Sequence, residues 1–365
     1  MSGKIRHYFA GGNTAKGFHH FFDSNVSSLQ RLWIMKGGPG TGKSTIMKQV
    51  GHAWLERGYD IEWIHCSSDP DSLDGVIIPS LGVGIVDGTA PHILEPKAPG
   101  AKEEYVNLGE AWDRQQLQAH AEEVVSYNQK IDKCFQEAYR SFAEALAIHD
   151  EWEEIYINQF DIQAADHLAA SYIQQLVGNV RLNKPAAVYH RFLGAATPKG
   201  AVDYIPNLTH ELPKRYFIKG RPGTGKSTLL KRLAKTAEER GLDVEVYHCG
   251  FDPESLDMVI VRELGFAIFD STAPHEYFPE RDGDEILDMY EKLVTPGTDE
   301  VNAEIIGEIR ERYNKKMQEG TAYLKQAKYL HDELETIYIQ AMDFEQINKI
   351  QQSIQEQIEE SIISG

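Results

Sequence analysis

The chain has 365 residues, 41% apolar and 25% charged, enough for two ordinary globular domains with sizeable cores. A formal net charge of −19 repels phosphate backbones and argues against nucleic acid as a partner. Three scattered cysteines without CxxC spacing argue against a disulfide framework or zinc ribbon, and no apolar run has signal-peptide or membrane-spanning length, so a cytoplasmic protein with no membrane partner is expected.

In chain order, the segment before "TAKG" offers a possible first strand. "RLWIM" reads as a short buried strand that runs into "GGPGTGKST", Gly37 to Thr45. "STIMKQVGHAWLER" then reads as a helix that Gly58 stops. "IEWIHC" is a second strand, followed by a connection of about sixteen residues and a third strand, "GVGIVD". From Leu117 apolar or small residues keep a three-four spacing through position 156, which predicts helix, either packed on the core or projecting as a partner-binding arm. "GNVRLNKP", Gly178 to Pro185, carries turn residues and a closing proline.

The sequence then repeats. Between Trp33 and His92 a shift of 183 residues superposes the chain on itself without a gap, with 32 of 60 positions identical. Near each end "IHDEWEEIYI" faces "LHDELETIYI" at an offset of 182. The period far exceeds that of a solenoid, so this is a duplicated domain. The expected units are 1–183, with an α/β core over 5–95 and a helical part over 101–177, and 184–365, with a core over 187–278 and a helical part over 284–362. The expected fold class is α/β: two tandem units with small, mainly parallel sheets, each followed by a helical hairpin.

The GxxxxGK[ST] pattern occurs twice, as Gly37–Thr45 and "GRPGTGKST", Gly220–Thr228, each time after an apolar strand and at the start of a helix. Backbone N–H groups of such a loop cradle phosphates, which requires residues without bulk. The candidate nucleotide-binding residues are Gly37, Gly38, Pro39, Gly40, Thr41, Gly42, Lys43, Ser44 and Thr45, with Gly220, Arg221, Pro222, Gly223, Thr224, Gly225, Lys226, Ser227 and Thr228 as the second set. Lys43 and Lys226 are the candidate catalytic residues, neutralising the β- and γ-phosphates, and Ser44 and Ser227 are candidate Mg²⁺ ligands.

On these residues the chain resembles the P-loop NTPase superfamily, over about sixty residues per unit. "GPGTGKST" is similar to loops of AAA-type and RecA-type ATPases, and the duplicated pattern resembles a bacterial family of tandem P-loop ATPases. The resemblance implies ATP as ligand or substrate, Mg²⁺ as cofactor, and an aspartate at the end of an apolar strand for the metal, which Asp87 and Asp270 match. The following residue is Gly88 or Ser271, so no Asp-Glu pair is present and the water-activating residue stays open.

Other positions have two readings each. His65 and His248 could orient a water. Asp69 and Asp252 could approach the metal but, before proline, read better as helix caps. His92 and His275 in "TAPH" could sense the γ-phosphate or sit on a turn. Lys16 and Lys199 read as solvated turn lysines or as nucleotide contacts, and Arg221 could reach a phosphate, the neighbouring unit or water. His149 and His331 read as seam histidines, and the acids beside His149 as a solvated helix face. The expected function is a Mg-dependent ATPase with two coupled sites in an internal pseudo-dimer. The alternatives are a small-molecule or nucleotide kinase and a non-hydrolysing ATP-binding scaffold, with the small-molecule or protein partner unspecified.

Overall fold

A computed structural model describes residues 2–363. The first half contains β1 (Ile5–Phe9), the hairpin β2 (Gly11–Thr14) and β3 (Gly17–His20), α1 (Phe22–Val26), β4 (Arg31–Lys36), α2 (Lys43–Glu56), β5 (Ile61–His65), β6 (Leu73–Ile78), β7 (Val83–Asp87), β8 (Glu103–Asn107), α3 (Arg114–Ala119), α4 (Ala121–Ile157) and α5 (Ile162–Leu176). The second half repeats this order with β9 (Val188–Phe192), β10 (Gly194–Thr197), β11 (Gly200–Asp203), α6 (Ile205–Thr209), β12 (Lys214–Lys219), α7 (Lys226–Glu239), β13 (Val244–His248), β14 (Leu256–Val261), β15 (Phe266–Asp270), β16 (Asp284–Asp288), α8 (Met289–Leu293), α9 (Thr298–Val301), α10 (Ala303–Gln340) and α11 (Phe344–Ile363).

The fold is α/β, and the expected pair of small, mainly parallel sheets is corrected. One mixed, twelve-stranded sheet runs through both halves in the order β16-β12-β15-β14-β13-β9-β1-β5-β6-β7-β4-β8. It reads the same from either end, and the halves join where β1 meets β9 antiparallel at Phe9 and Phe192. Within the first half β1, β5, β7, β4 and β8 share one direction and β6 runs against its neighbours β5 and β7. The supposed connection after "IEWIHC" holds this strand: all six residues of "LDGVII" are buried. A parallel neighbour would need a crossover of a dozen or more residues, whereas the short Cys66–Ser72 loop permits only antiparallel return. A turn through Pro79–Leu81, closed by Gly82 at φ +63°, sends the chain back into β7.

The helical parts also differ from expectation. Each opens with a strand, β8 or β16, whose charged residues suit the sheet edges they form. The long helix then does not close a hairpin with the helix that follows it. α4 and α10 lie antiparallel against each other, with Phe142 packed where Gly320 leaves room: a Cβ there would stand 2.4 Å from the Phe142 ring. Arg312 forms a two-pronged 2.8 Å ion pair with Glu151 across this contact.

Beyond the long helices the halves exchange their last helices. Ile347, Ile354 and Ile358 of α11 are buried in one cluster with Trp33, Trp54 and Ile85 of the first half. Ala169 of α5 is buried with Leu230, Leu233 and Ile268 of the second. Backbone hydrogen bonds fix both crossings: Asp343 N–H donates to the Ala111 carbonyl and Asp161 N–H to the Leu293 carbonyl, at 2.7 and 2.8 Å. No helix among the described residues is long and apolar enough to cross a membrane.

Candidate functional site

Each glycine loop lies between a buried strand and a helix start, β4 to α2 in the first half and β12 to α7 in the second. Gly40 and Gly42 have φ of +67° and +93°, and Gly223 and Gly225 have +72° and +79°. Glycine adopts these left-handed conformations without a Cβ penalty. The turn aims the first N–H groups of α2 and α7 at the loop, leaving the partial positive end of each helix there.

Lys43 Nζ donates to the carbonyls of Gly37 and Gly38 at 3.0 and 2.8 Å and stands 3.6 Å from Asp87 Oδ2. Lys226 donates to the Arg221 carbonyl at 3.0 Å and stands 3.4 Å from Asp270 Oδ2. The strand ending in each aspartate is the immediate neighbour of the strand leading into each loop, which brings the two charges together. Asp87 Oδ1 accepts from the Thr89 backbone and hydroxyl at 2.8 and 2.6 Å, leaving Oδ2 toward the lysine. Asp270 and Thr272 repeat this turn. Ser44 Oγ accepts from Leu73 N–H at 3.0 Å, and Ser227 Oγ from Leu256 N–H at 2.9 Å, so each serine tethers its loop to the antiparallel strand.

That strand contributes two residues absent from the sequence reading, Asp74 and Asp257. Both are buried, and both carboxyl pKa values rise, Asp257 to about 6, because burial first and the neighbouring Asp87 or Asp270 charge next disfavour ionisation. The signal visible in the sequence is the repeated "SLD", which falls in the stretch that reads as a connection between strands.

The remaining candidates separate. Asp69 and Asp252 cap turns, not helices: their carboxylates accept from Ser72 and Ser255 hydroxyls at 2.9 and 3.2 Å. His65 and His248 bond the Pro70 and Pro253 carbonyls at 3.0 and 2.6 Å and the rings of His7 and His190 at 2.9 and 2.8 Å, and burial pushes both pKa values down to about 4. His92 is buried, stacked on Phe22, with its Nε2 3.8 Å from Asp74. His275 instead bonds Asp203 at 2.8 Å; burial opposes its charge, but this bond prevails and raises its pKa.

Lys16 and Lys199 bridge the halves, reaching Asp252 at 2.9 Å and Asp71 at 2.5 Å. Arg221 does not face the opposite loop. It pairs with Asp299 at 2.8 Å over the Tyr290 ring, and Asp299 also accepts from the Tyr156 hydroxyl of α4 at 2.8 Å.

The ends of the long helices cover the loops of the opposite halves. A Cβ on Gly38 would stand 2.5 Å from the Tyr338 ring, and one on Gly40 3.0 Å from the Glu335 carbonyl oxygen. A Cβ on Gly223 would stand 2.9 Å from the Glu153 carbonyl oxygen. Beside these contacts His149, Asp150 and Glu153, and likewise His331, Asp332 and Glu335, hold their ligand-capable atoms within 4.8 Å of one another. A surface cleft of about 760 Å³, lined by Lys4, Arg6 and Arg262 among others, opens at the seam between the halves and includes neither loop. No family model, curated protein or solved structure compared with the chain matches it.

Proposed function

We propose that the chain is a P-loop nucleotide hydrolase that takes Mg-ATP at both glycine loops and couples the two sites. The observation that carries this reading is the twofold juxtaposition of loop lysine and strand-end aspartate, at 3.6 and 3.4 Å, under a helix start built on left-handed glycines.

The residues fit the ligand. Lys43 and Lys226 bond only loop carbonyls and the aspartate, all polar groups that an incoming phosphate oxygen can replace. Ser44 and Ser227 keep a free O–H direction after accepting one N–H, and Asp87 and Asp270 keep Oδ2. Mg²⁺ held near these oxygens supplies charge neutralisation for the phosphates. The chain's own groups do the rest: the loop N–H donors orient the phosphates, each lysine balances charge that develops in transfer, and the opposite half's helix end shields the loop from water. Coupling follows from the reciprocal packing, because a loop that moves presses on a helix anchored in the other half's core.

Titration calorimetry with Mg-ATP and Mg-GTP, alongside phosphate release with and without small-molecule acceptors, tests this. Two sites per chain, ATP preferred, and acceptor-independent phosphate release are expected. An absence of binding sinks the reading, and acceptor-dependent ADP production replaces it with a kinase.

A further inference from the structure

We propose that each glycine loop takes its water-activating carboxylate from the other half: Glu335 of α10 serves the Gly37–Thr45 loop, and Glu153 of α4 serves the Gly220–Thr228 loop. This rests on the nucleotide reading above and supplies the group that reading lacks.

Within each half the usual neighbour of the metal aspartate is missing, since Gly88 and Ser271 follow Asp87 and Asp270. Asp74 and Asp257 are buried beside Asp87 and Asp270 on the strands that the loop serines tether, on the side assigned to the metal. The opposite helices bring the backbone of a glutamate to each loop at an equivalent place. The Glu335 backbone would lie 3.0 Å, and its own Cβ 3.4 Å, from a Cβ on Gly40. The Glu153 backbone repeats the contact at Gly223, where the carbonyl oxygen and Cα would lie 2.9 and 3.3 Å from a Cβ. Gly40 and Gly223 occupy the same place in the two loops, and the two glutamates the same place in the two helices.

The two helix copies also differ in an informative way. Over Ala121–Ile148 and Ala303–Leu330 only 6 of 28 aligned residues are identical, although both stretches pair with each other. Over the next nine, "HDEWEEIYI" and "HDELETIYI", 7 are identical. Helix–helix packing alone places no such demand on one end. The retained set includes a histidine one turn before each glutamate, with Nδ1 3.8 Å from Oε1 in the first copy and 3.6 Å in the second. Desolvation lowers the pKa of both histidines against the pull of the adjacent glutamate, and the opposite loop's lysine, Lys226 for His149 and Lys43 for His331, is among the charges each imidazole faces.

The step balances without a further reactant. The carboxylate takes one proton from water as the water oxygen bonds the γ-phosphorus. The bond from that phosphorus to the bridging oxygen breaks, ADP leaves with the electron pair, and the carboxyl returns its proton to solvent through the neighbouring imidazole.

Glu335→Gln keeps shape and removes the acceptor. Calorimetry should still find two Mg-ATP sites, which also verifies the fold, while single-turnover hydrolysis at one site falls on the order of 100-fold or more. Crystals of this variant grown with Mg-ATP should hold intact ATP at the Gly37–Thr45 loop, and Glu153→Gln should hold it at the Gly220–Thr228 loop. ADP at the Gly37–Thr45 loop of Glu335→Gln, with unchanged turnover, overturns the assignment alone. ATP retained only at the Gly220–Thr228 loop of Glu335→Gln would place the carboxylate in its own half and equally overturn it. Failure of the unmodified protein to bind nucleotide would overturn the underlying reading and this assignment together.

Discussion

Ile358→Ala tests the helix exchange on which both coupling and trans-acting residues depend. Ile358 is 0% exposed and sits in the first half's core, on the face where Trp33 and Trp54 are 1% and 2% exposed. The substitution removes three carbons. At about 0.8 kcal/mol per buried methylene-sized group, the transfer loss is about 2.4 kcal/mol. The residual cavity brings the total to roughly 3 to 4 kcal/mol, inside the usual range for such truncations. The readout is selective because all five tryptophans, the last of them Trp152, precede the second half. Urea unfolding followed by tryptophan fluorescence should therefore shift to lower denaturant by on the order of 1 M. A shift worth less than about 1 kcal/mol, or a far-UV transition that moves while the fluorescence transition stays, would place α11 on its own half and refute the exchange.

Asp87→Asn and Asp270→Asn should weaken the Mg²⁺ dependence of turnover, whereas Asp69→Asn and Asp252→Asn should be mild because asparagine also caps such turns; a Mg²⁺ titration in which the ranking reverses would move the metal to the other loop. Lys43→Ala and Lys226→Ala should each remove more than half of the phosphate release, and mutants that each keep half, adding to the whole, would show independent sites. Acidification should destabilise the fold through His65 and His248. Their folded pKa values of about 4 lie below the ordinary 6.5, so their contribution is complete above pH 6.5 and is lost as pH falls toward 4, by several kcal/mol at about 1.4 kcal/mol per unit. Asp257, held up to about 6, acts in the opposite sense over part of that window, so Asp257→Asn should steepen the acid loss seen by denaturation at stepped pH.

Where a signal is local, the sequence by itself was sufficient. Glycines at positions 40, 42, 223 and 225 announce left-handed turns because other residues pay a steric penalty there. The apolar runs before them are strands, and the stretches after them are helices, as α2 and α7 show. The repeat itself needs no structure, since identity at a fixed offset is a property of the string.

Tertiary structure decided the rest. "LDGVII" is too short and too uniformly apolar to declare strand or linker until its neighbours bury both faces. Asp74 and Asp257 gain their character only once β6 and β14 set them beside Asp87 and Asp270. The apolar stripes of α5 and α11 state that a face must be buried, but the two halves present nearly the same core, so periodicity alone is silent about which half receives which helix. The answer came from the crossings at Asp161 and Asp343, where backbone hydrogen bonds to the other half commit each chain end. His149 and His331 read as seam residues for the same reason: helical spacing specifies a face, and only the antiparallel pairing of α4 with α10 specifies that its far end rests on the opposite glycine loop.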